Sequence, residues 1–188
     1  MATTAERFGD GSPVPAKPRR KWWKIALVAV PAIVVAGSAI GYLSNSGFSN
    51  NWYAPLDKPS FQPPSWAFPV AWTMLYAGMG VAVSLLLAAP RSRGRTLALI
   101  LFFAQLALNF SWSPLFFGAG LIDWSFLVIM ALNILVSATI IAAWSVNRVA
   151  AMLLLPYLVW LCLATALNHE TGRLNPGADR APLGITGD

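Results

Sequence analysis

Charge is scarce in this chain. Of its 188 residues only 11% are Asp, Glu, Lys or Arg, while 57% are hydrophobic; an ordinary soluble domain carries roughly a quarter charged residues. So few charges cannot cover a water-facing surface, and a soluble globular monomer is not expected. Cysteine and histidine are nearly absent, with Cys162 and His169 the single examples of each. A lone thiol cannot close an intrachain disulfide, and one thiol with one imidazole makes neither a zinc site nor a Cys/His nucleophile pair. No phosphate-cradling glycine loop occurs. No ionisable side chain lies deep within an apolar stretch, which argues against ion-coupled transport, because that work keeps a costly charge inside the membrane. His169 reads as an interfacial side chain.

What is present is apolar length. Residues 25–56, 59–90, 96–122, 124–147 and 149–168 contain no Asp, Glu, Lys or Arg. About 20 apolar residues suffice for one helical crossing of a bilayer. The expected fold class is therefore an all-α membrane protein, a bundle of five transmembrane helices, with spans at about 25–43, 66–89, 96–117, 123–144 and 148–168. These make one domain, 25–168. Before it, residues 1–24 read as a disordered basic tail ending in the interfacial anchor KWWK. After it, 169–188 reads as a polar tail. The small residues at 36–39 also fit the end of a cleaved signal peptide, but the apolar run is longer than a usual signal core.

The thirteen Lys and Arg residues give a formal charge of +6. They sit in tails and short turns, as membrane flanks do, so a lipid bilayer rather than nucleic acid is the expected partner. Ten of the thirteen fall on the side of the N-terminus and of the turns at 90–95 and 145–148; Lys58, Arg173 and Arg180 fall on the other. The positive-inside rule then places the N-terminus in the cytoplasm.

Several local features organise the spans. Gly37 and Gly41 form a GxxxG pair, Gly80, Ser84 and Ala88 a small face on the second span, and Ala104, Ala107 and Ser111 another on the third. Gly37/Gly41 and the third-span face are candidates for self-association as a homodimer. Pro156 should kink the fifth span, and Asp123 is expected to cap the start of the fourth. The connection 44–65 is the longest, with Pro55, Pro59, Pro63 and Pro64 opposing a regular helix, and a loop this long is often functional.

Aromatic content carries the functional signal. Among nine tryptophans, Trp22, Trp23, Trp66, Trp124 and Trp144 fall near span ends, where an interfacial belt explains them. Trp72, Trp112 and Trp160 lie further inside, where an indole N–H needs a partner that lipid cannot offer. They are expected to face the bundle interior. Asn109 adds an amide on the Trp112 face, Tyr76 lies on the Trp72 face, and Ala164 leaves space beside Trp160. Such an interior suits a flat, largely apolar ligand held by stacking and oriented by the amide and indole N–H groups; ordinary interhelical packing is the competing explanation.

The same residues carry a family pattern. WYAPLDKPSFQPPSWAFPVAWTMLY (52–76), AQLALNFSWSPLFFG (104–118) and LLPYLVWLCLATALN (154–168) resemble three ordered motifs of the TspO/MBR family of tryptophan-rich sensory and translocator proteins. The resemblance implies a five-helix bundle with its first loop acting as a lid over a pocket. Family members bind porphyrins and, in animals, cholesterol and synthetic drugs. Carried onto this chain, the ligand-binding residues would be Tyr53 and Pro63 of the loop, Trp72 and Tyr76, then Asn109, Trp112 and Phe116, and finally Trp160 and Ala164. Trp72 and Trp160 match the indoles proposed to take part in light-dependent porphyrin breakdown, so they are the candidates for any catalytic role. The chain departs from the proposed sterol pattern, which needs a base within about five residues after a Tyr; after Tyr157 the next base is Arg173. Its basic extension, 1–20, is also longer than is usual.

The resulting expectation is a receptor or carrier in a bacterial cytoplasmic membrane, with an outer-membrane location as the alternative. It would bind porphyrin-like tetrapyrroles, porphyrin or haem, require no cofactor and hold no metal, and act as a stress- or oxygen-linked regulator. An enzyme of light-dependent porphyrin degradation and a facilitative transporter are the rival readings.

Overall fold

The computed structural model describes residues 21–186; the expected disordered tail, 1–20, lies outside the described residues. Five long helices follow one another: α1 (Trp22–Leu43), α2 (Ala67–Ala88), α3 (Arg93–Ser113), α4 (Ile122–Trp144) and α5 (Arg148–Leu174), with a π-helical turn at Pro114–Gly118 after α3. All five are long and apolar enough to cross a membrane, and no strand occurs among the described residues. Helices satisfy their own backbone groups, which hydrocarbon demands. The chain is an integral, multi-pass membrane protein.

The short turns are built by side chains that meet unpaired backbone groups. Ser92 Oγ accepts the Arg95 N–H at 3.1 Å and Asn147 Oδ1 accepts the Ala150 N–H at 3.0 Å, capping α3 and α5. Arg95 donates to the Leu86 and Leu87 carbonyls, both at 2.9 Å, and so closes the end of α2. At the end of α3, Pro114 has no N–H to continue the ladder. The backbone widens there, with the Ala119 N–H reaching the Pro114 carbonyl at 2.8 Å.

Three boundaries differ from the sequence expectation. α1 starts at Trp22, so the KWWK anchor is part of the helix rather than a lead-in. α5 runs to Leu174, six residues beyond 168. Its added turn buries Thr171 and Gly172 and pairs Arg173 with Glu170 at 2.6 Å. Asp123 is not the cap of its own helix. Leu121 holds the cap position with no side-chain bond, and the Asp123 carboxylate turns to the C-terminal segment described below.

Around the bundle the order is α1, α2, α5, α4, α3. The packed interior contains Met79, Leu86, Phe102, Leu132, Val136, Leu154 and Tyr157. The outward faces carry Leu27, Val35, Ile100, Ile134, Ile141 and Val159, as lipid contact requires. α1 and α2 approach closely at Gly80, where a Cβ would lie 2.6 Å from the Val30 Cα. Gly37 serves the same pair of helices: a Cβ there would lie 2.2 Å from Tyr76 Cε2, while Gly41 has nothing within 4 Å. Gly37 is thus occupied inside the bundle. Ala104 and Ala107, by contrast, are exposed on α3.

Candidate functional site

One large cavity, about 1140 Å³, opens between the helices and the loop 44–66. It slightly exceeds the usual range for small-ligand sites, about 300–1,000 Å³. Its walls come from α1 (Gly37, Gly41), α2 (Phe68, Trp72, Tyr76), α3 (Asn109, Trp112), α4 (Ile129, Leu132) and α5 (Trp160, Ala164, Asn168), with Tyr53 of the loop. No Asp, Glu, Lys, Arg or His lines it.

The aromatic wall is assembled at right angles. Trp72 meets Trp160 edge to face at 6.4 Å between centroids, and Phe68 meets Trp160 at 5.7 Å. Neither indole N–H has a hydrogen-bond partner among the described residues, whereas Trp112 Nε1 donates to Asn168 Oδ1 at 3.4 Å. Trp112 also stacks on Phe116, 13° from parallel at 5.0 Å. Residues 112 and 116 are four apart and so lie on one side of the helix. Within the wall, Asn109 joins three helices. Its Oδ1 accepts the Tyr76 hydroxyl at 3.0 Å and its Nδ2 donates to the Tyr157 oxygen at 2.9 Å.

The roof is the loop, and it is folded. Asn50 Oδ1 accepts the N–H groups of Trp52 and Tyr53, both at 2.9 Å, while its Nδ2 donates to the Phe117 carbonyl at 3.1 Å. Tyr53 is thereby buried against Phe116 and Phe117, and its hydroxyl donates to Gln62 at 3.1 Å. Burial raises the Tyr53 pKa above its ordinary value, with the Gln62 bond opposing. Lys58 forms no ion pair with Asp57. Its ammonium instead donates to the carbonyls of Tyr53, at 2.6 Å, Ala54 and Leu56 and sits 4.3 Å from the Tyr53 ring centroid. Desolvation lowers the Lys58 pKa, with Asp57 opposing.

Residues 175–186 lie beside this roof rather than trailing away. Asn175 and Asp57 exchange two bonds, Asp57 N–H to Asn175 Oδ1 at 2.7 Å and Asn175 Nδ2 to the Asp57 carbonyl at 2.9 Å. Trp52 Nε1 donates to the Ala178 carbonyl at 3.2 Å. Further on, Asp123 accepts the N–H groups of Leu183, Ile185 and Thr186 and the Thr186 hydroxyl. In return Asp179 accepts the Asp123 N–H at 2.7 Å.

Of the residues singled out from sequence, Tyr53, Trp72, Tyr76, Asn109, Trp112, Phe116, Trp160 and Ala164 all line the cavity. Pro63 does not; it is half-buried within the loop. Sequence reasoning passed over Phe68 and Asn168. Both stood four residues from a chosen one, before Trp72 and after Ala164, and so on the same helical face. It also passed over Tyr157, whose hydroxyl only a three-dimensional contact links to Asn109, and the carbonyl-binding role of Lys58. No group of His, Cys, Asp and Glu able to hold a metal occurs among the described residues.

The comparisons with known proteins agree with one another. The sequence profile of the TspO/MBR family matches residues 28–174. The chain is 40% identical over 155 residues to the tryptophan-rich protein TspO of Archaeoglobus fulgidus, covering 80% of this chain and 94% of that one. It is 40% identical over 126 residues to the tryptophan-rich sensory protein of Cereibacter sphaeroides, covering 67% and 78%. With the human translocator protein it shares 36% identity over 143 residues, covering 75% and 85%.

Proposed function

The chain belongs to the TspO/MBR family, and from that premise we propose that it is a membrane receptor or carrier for porphyrin-like tetrapyrroles, porphyrin or haem. The observation that carries the reading is the cavity of about 1140 Å³ with aromatic, uncharged walls. A flat macrocycle gains by stacking on Trp72, Trp160 and the Trp112–Phe116 pair, and the two unpaired indole N–H groups give it orienting donors. Polar edges of the ring would meet the hydroxyls and amides of Ser65, Thr73, Asn109 and Asn168, which also line the site. No cofactor is required for this work. The protein acts in a bacterial cytoplasmic membrane, with its N-terminus in the cytoplasm, as a stress- or oxygen-linked regulator. Two copies associate through the exposed Ala104 and Ala107 side of α3. The test of the reading is a tryptophan-fluorescence quenching titration of the purified protein with protoporphyrin and with haem. Saturable quenching at one site per chain supports it, and linear, non-saturating quenching refutes it.

A second reading shares the site. Trp72 and Trp160 stand in edge-to-face contact in the cavity wall, which favours a light-dependent porphyrin degradation involving both indoles. Illumination of the loaded protein decides between them: product that requires both Trp72 and Trp160 makes the protein an enzyme, and unchanged porphyrin leaves it a binder.

A further inference from the structure

We propose that residues 175–186 are a strap that fastens the roof of the cavity, so that ligand exchange beneath Tyr53 requires the strap to let go. The inference rests on the tetrapyrrole reading for the ligand and on geometry alone for the mechanics. The strap has two kinds of attachment. One grips the roof, through the Asn175–Asp57 pair and the Trp52–Ala178 bond. The other grips the bundle. There Asp123 gathers three backbone N–H groups of the strap at 2.7–3.2 Å, Asp179 caps the start of α4, and the Arg180 N–H reaches the Gly120 carbonyl at 3.1 Å. Thr186 fills the space over Gly172, where a Cβ would lie 2.1 Å from its hydroxyl.

The roof segment has its own contact with the bundle at Asn50 and Phe117, on the cavity side. The strap supplies its outer side. Closure is therefore held from two directions, and only the inner one touches the space a ligand occupies. The strap itself is built for release. Pro176, Gly177 and residues 180–185 are exposed, and the strap is held mainly by hydrogen bonds rather than by buried apolar area. Segments of that kind open locally without unfolding the core. The buried bond-accepting carboxylate at Asp123 marks where it reattaches. The strap thus sets how fast the cavity fills and empties while contributing no wall to it, since none of residues 175–186 lines the cavity.

The test compares the full chain with a chain ending at Leu174, both in lipid nanodiscs. Two readouts are taken: hydrogen exchange of the roof without ligand, and stopped-flow loading and release of protoporphyrin. Loss of three roof bonds should speed exchange of the amides at 50–58 by about tenfold or more, with the middle of α4 unchanged. Loading and release should both accelerate by about tenfold, leaving affinity within about threefold. Because truncation can disturb the end of α5, a second form keeps the chain whole. It carries Asp57→Cys and Asn175→Cys on a Cys162→Ala background and is joined by a short reducible bis-thiol reagent. The joined form should exchange protoporphyrin at least about tenfold more slowly, and reduction should restore the rate. Roof amides unaffected by truncation overturn the strap. Faster amides with unchanged protoporphyrin rates in both forms overturn its gating role. Absence of any protoporphyrin binding refutes the tetrapyrrole reading instead, and the strap is then decided by the roof amides of the truncated and joined forms.

Discussion

Replacing Gly37 with Ala is the sharpest probe of how the cavity is built. The added methyl would sit 2.2 Å from Tyr76 Cε2 and 2.4 Å from Cζ, well inside contact distance. The ring must move by more than an ångström, roughly, to reach the 3.5–4.0 Å optimum of two carbons. It is not free to do so. Trp72 lies 5.3 Å from it and Phe110 6.0 Å, centroid to centroid, and Asn109 holds its hydroxyl at 3.0 Å. Overpacking of this kind costs about 1–3 kcal/mol, and loss of the Asn109 bond adds about 1 kcal/mol. Ala returns about 1 kcal/mol through its better helix propensity. The net expectation is a destabilisation of about 1–3 kcal/mol with weakened protoporphyrin binding. Gly41→Ala is the internal control, because nothing lies within 4 Å of its Cβ position. It should be neutral or stabilising by up to about 1 kcal/mol. Adding Tyr76→Leu to Gly37→Ala removes the ring that clashes, so the pair should be non-additive. Thermal unfolding in detergent, followed by tryptophan emission, reads the wild type, Gly37→Ala, Gly41→Ala, Tyr76→Leu and the double variant. Equal losses for Gly37→Ala and Gly41→Ala would refute the reasoning and return the pair to the role of a helix-association motif.

Trp72→Phe and Trp160→Phe should each weaken protoporphyrin binding by about three- to tenfold in quenching titrations while leaving the melting curve in place, because Phe keeps the apolar body and loses stacking area and the N–H; wild-type binding by both variants would remove them from the site. Lys58→Met takes the donor from three loop carbonyls and should cost about 1 kcal/mol, reduced by exposure, with faster amide exchange confined to 53–58; a change spread across the bundle would contradict a local role. Bound protoporphyrin should protect the amides of 50–63 from exchange more than those of the turn at 90–95, and equal protection of both would remove the roof from ligand capture. Ala107→Leu, on the exposed side of α3, should reduce cross-linked dimer in native membranes without altering the melting curve, and undiminished dimer would place the contact elsewhere.

The helices and most of the cavity wall were legible because the signals were redundant. Uncharged stretches of bilayer length fixed five spans, and the 3.6-residue period put Trp72 with Tyr76, and Asn109 with Trp112, on common faces. The demand of a buried indole for a partner correctly placed Trp112 inside, although its acceptor, Asn168, was not singled out. What could not be read depends on contacts between distant parts of the chain. Asp123 looks like a helix cap in sequence because an acid at a helix start usually is one; its actual partners lie 60–63 residues further on. Gly37 and Gly41 read as one motif in sequence, and the position of Tyr76 distinguishes them in the structure. The residues at 169–174 looked like tail because polarity rises there, whereas in the structure Gly172 is covered by Thr186 and Thr171 is buried at the cavity wall, so the helix continues.

The fastening of the roof also has a consequence for the order of events during synthesis. The bonds from Trp52 to Ala178 and from Asp57 to Asn175 join residues 126 and 118 positions apart. The helices made first can pair as they leave the translation machinery, since α1 and α2 are neighbours in both sequence and space. The roof cannot be fastened until residues 175–178 have been added, and contacts of such long range form late. A nascent chain therefore passes through a stage in which the bundle is present but its aromatic cavity is loosely covered. A ligand present at that stage would enter without waiting for the strap to let go, so loading is fastest before the roof is fastened.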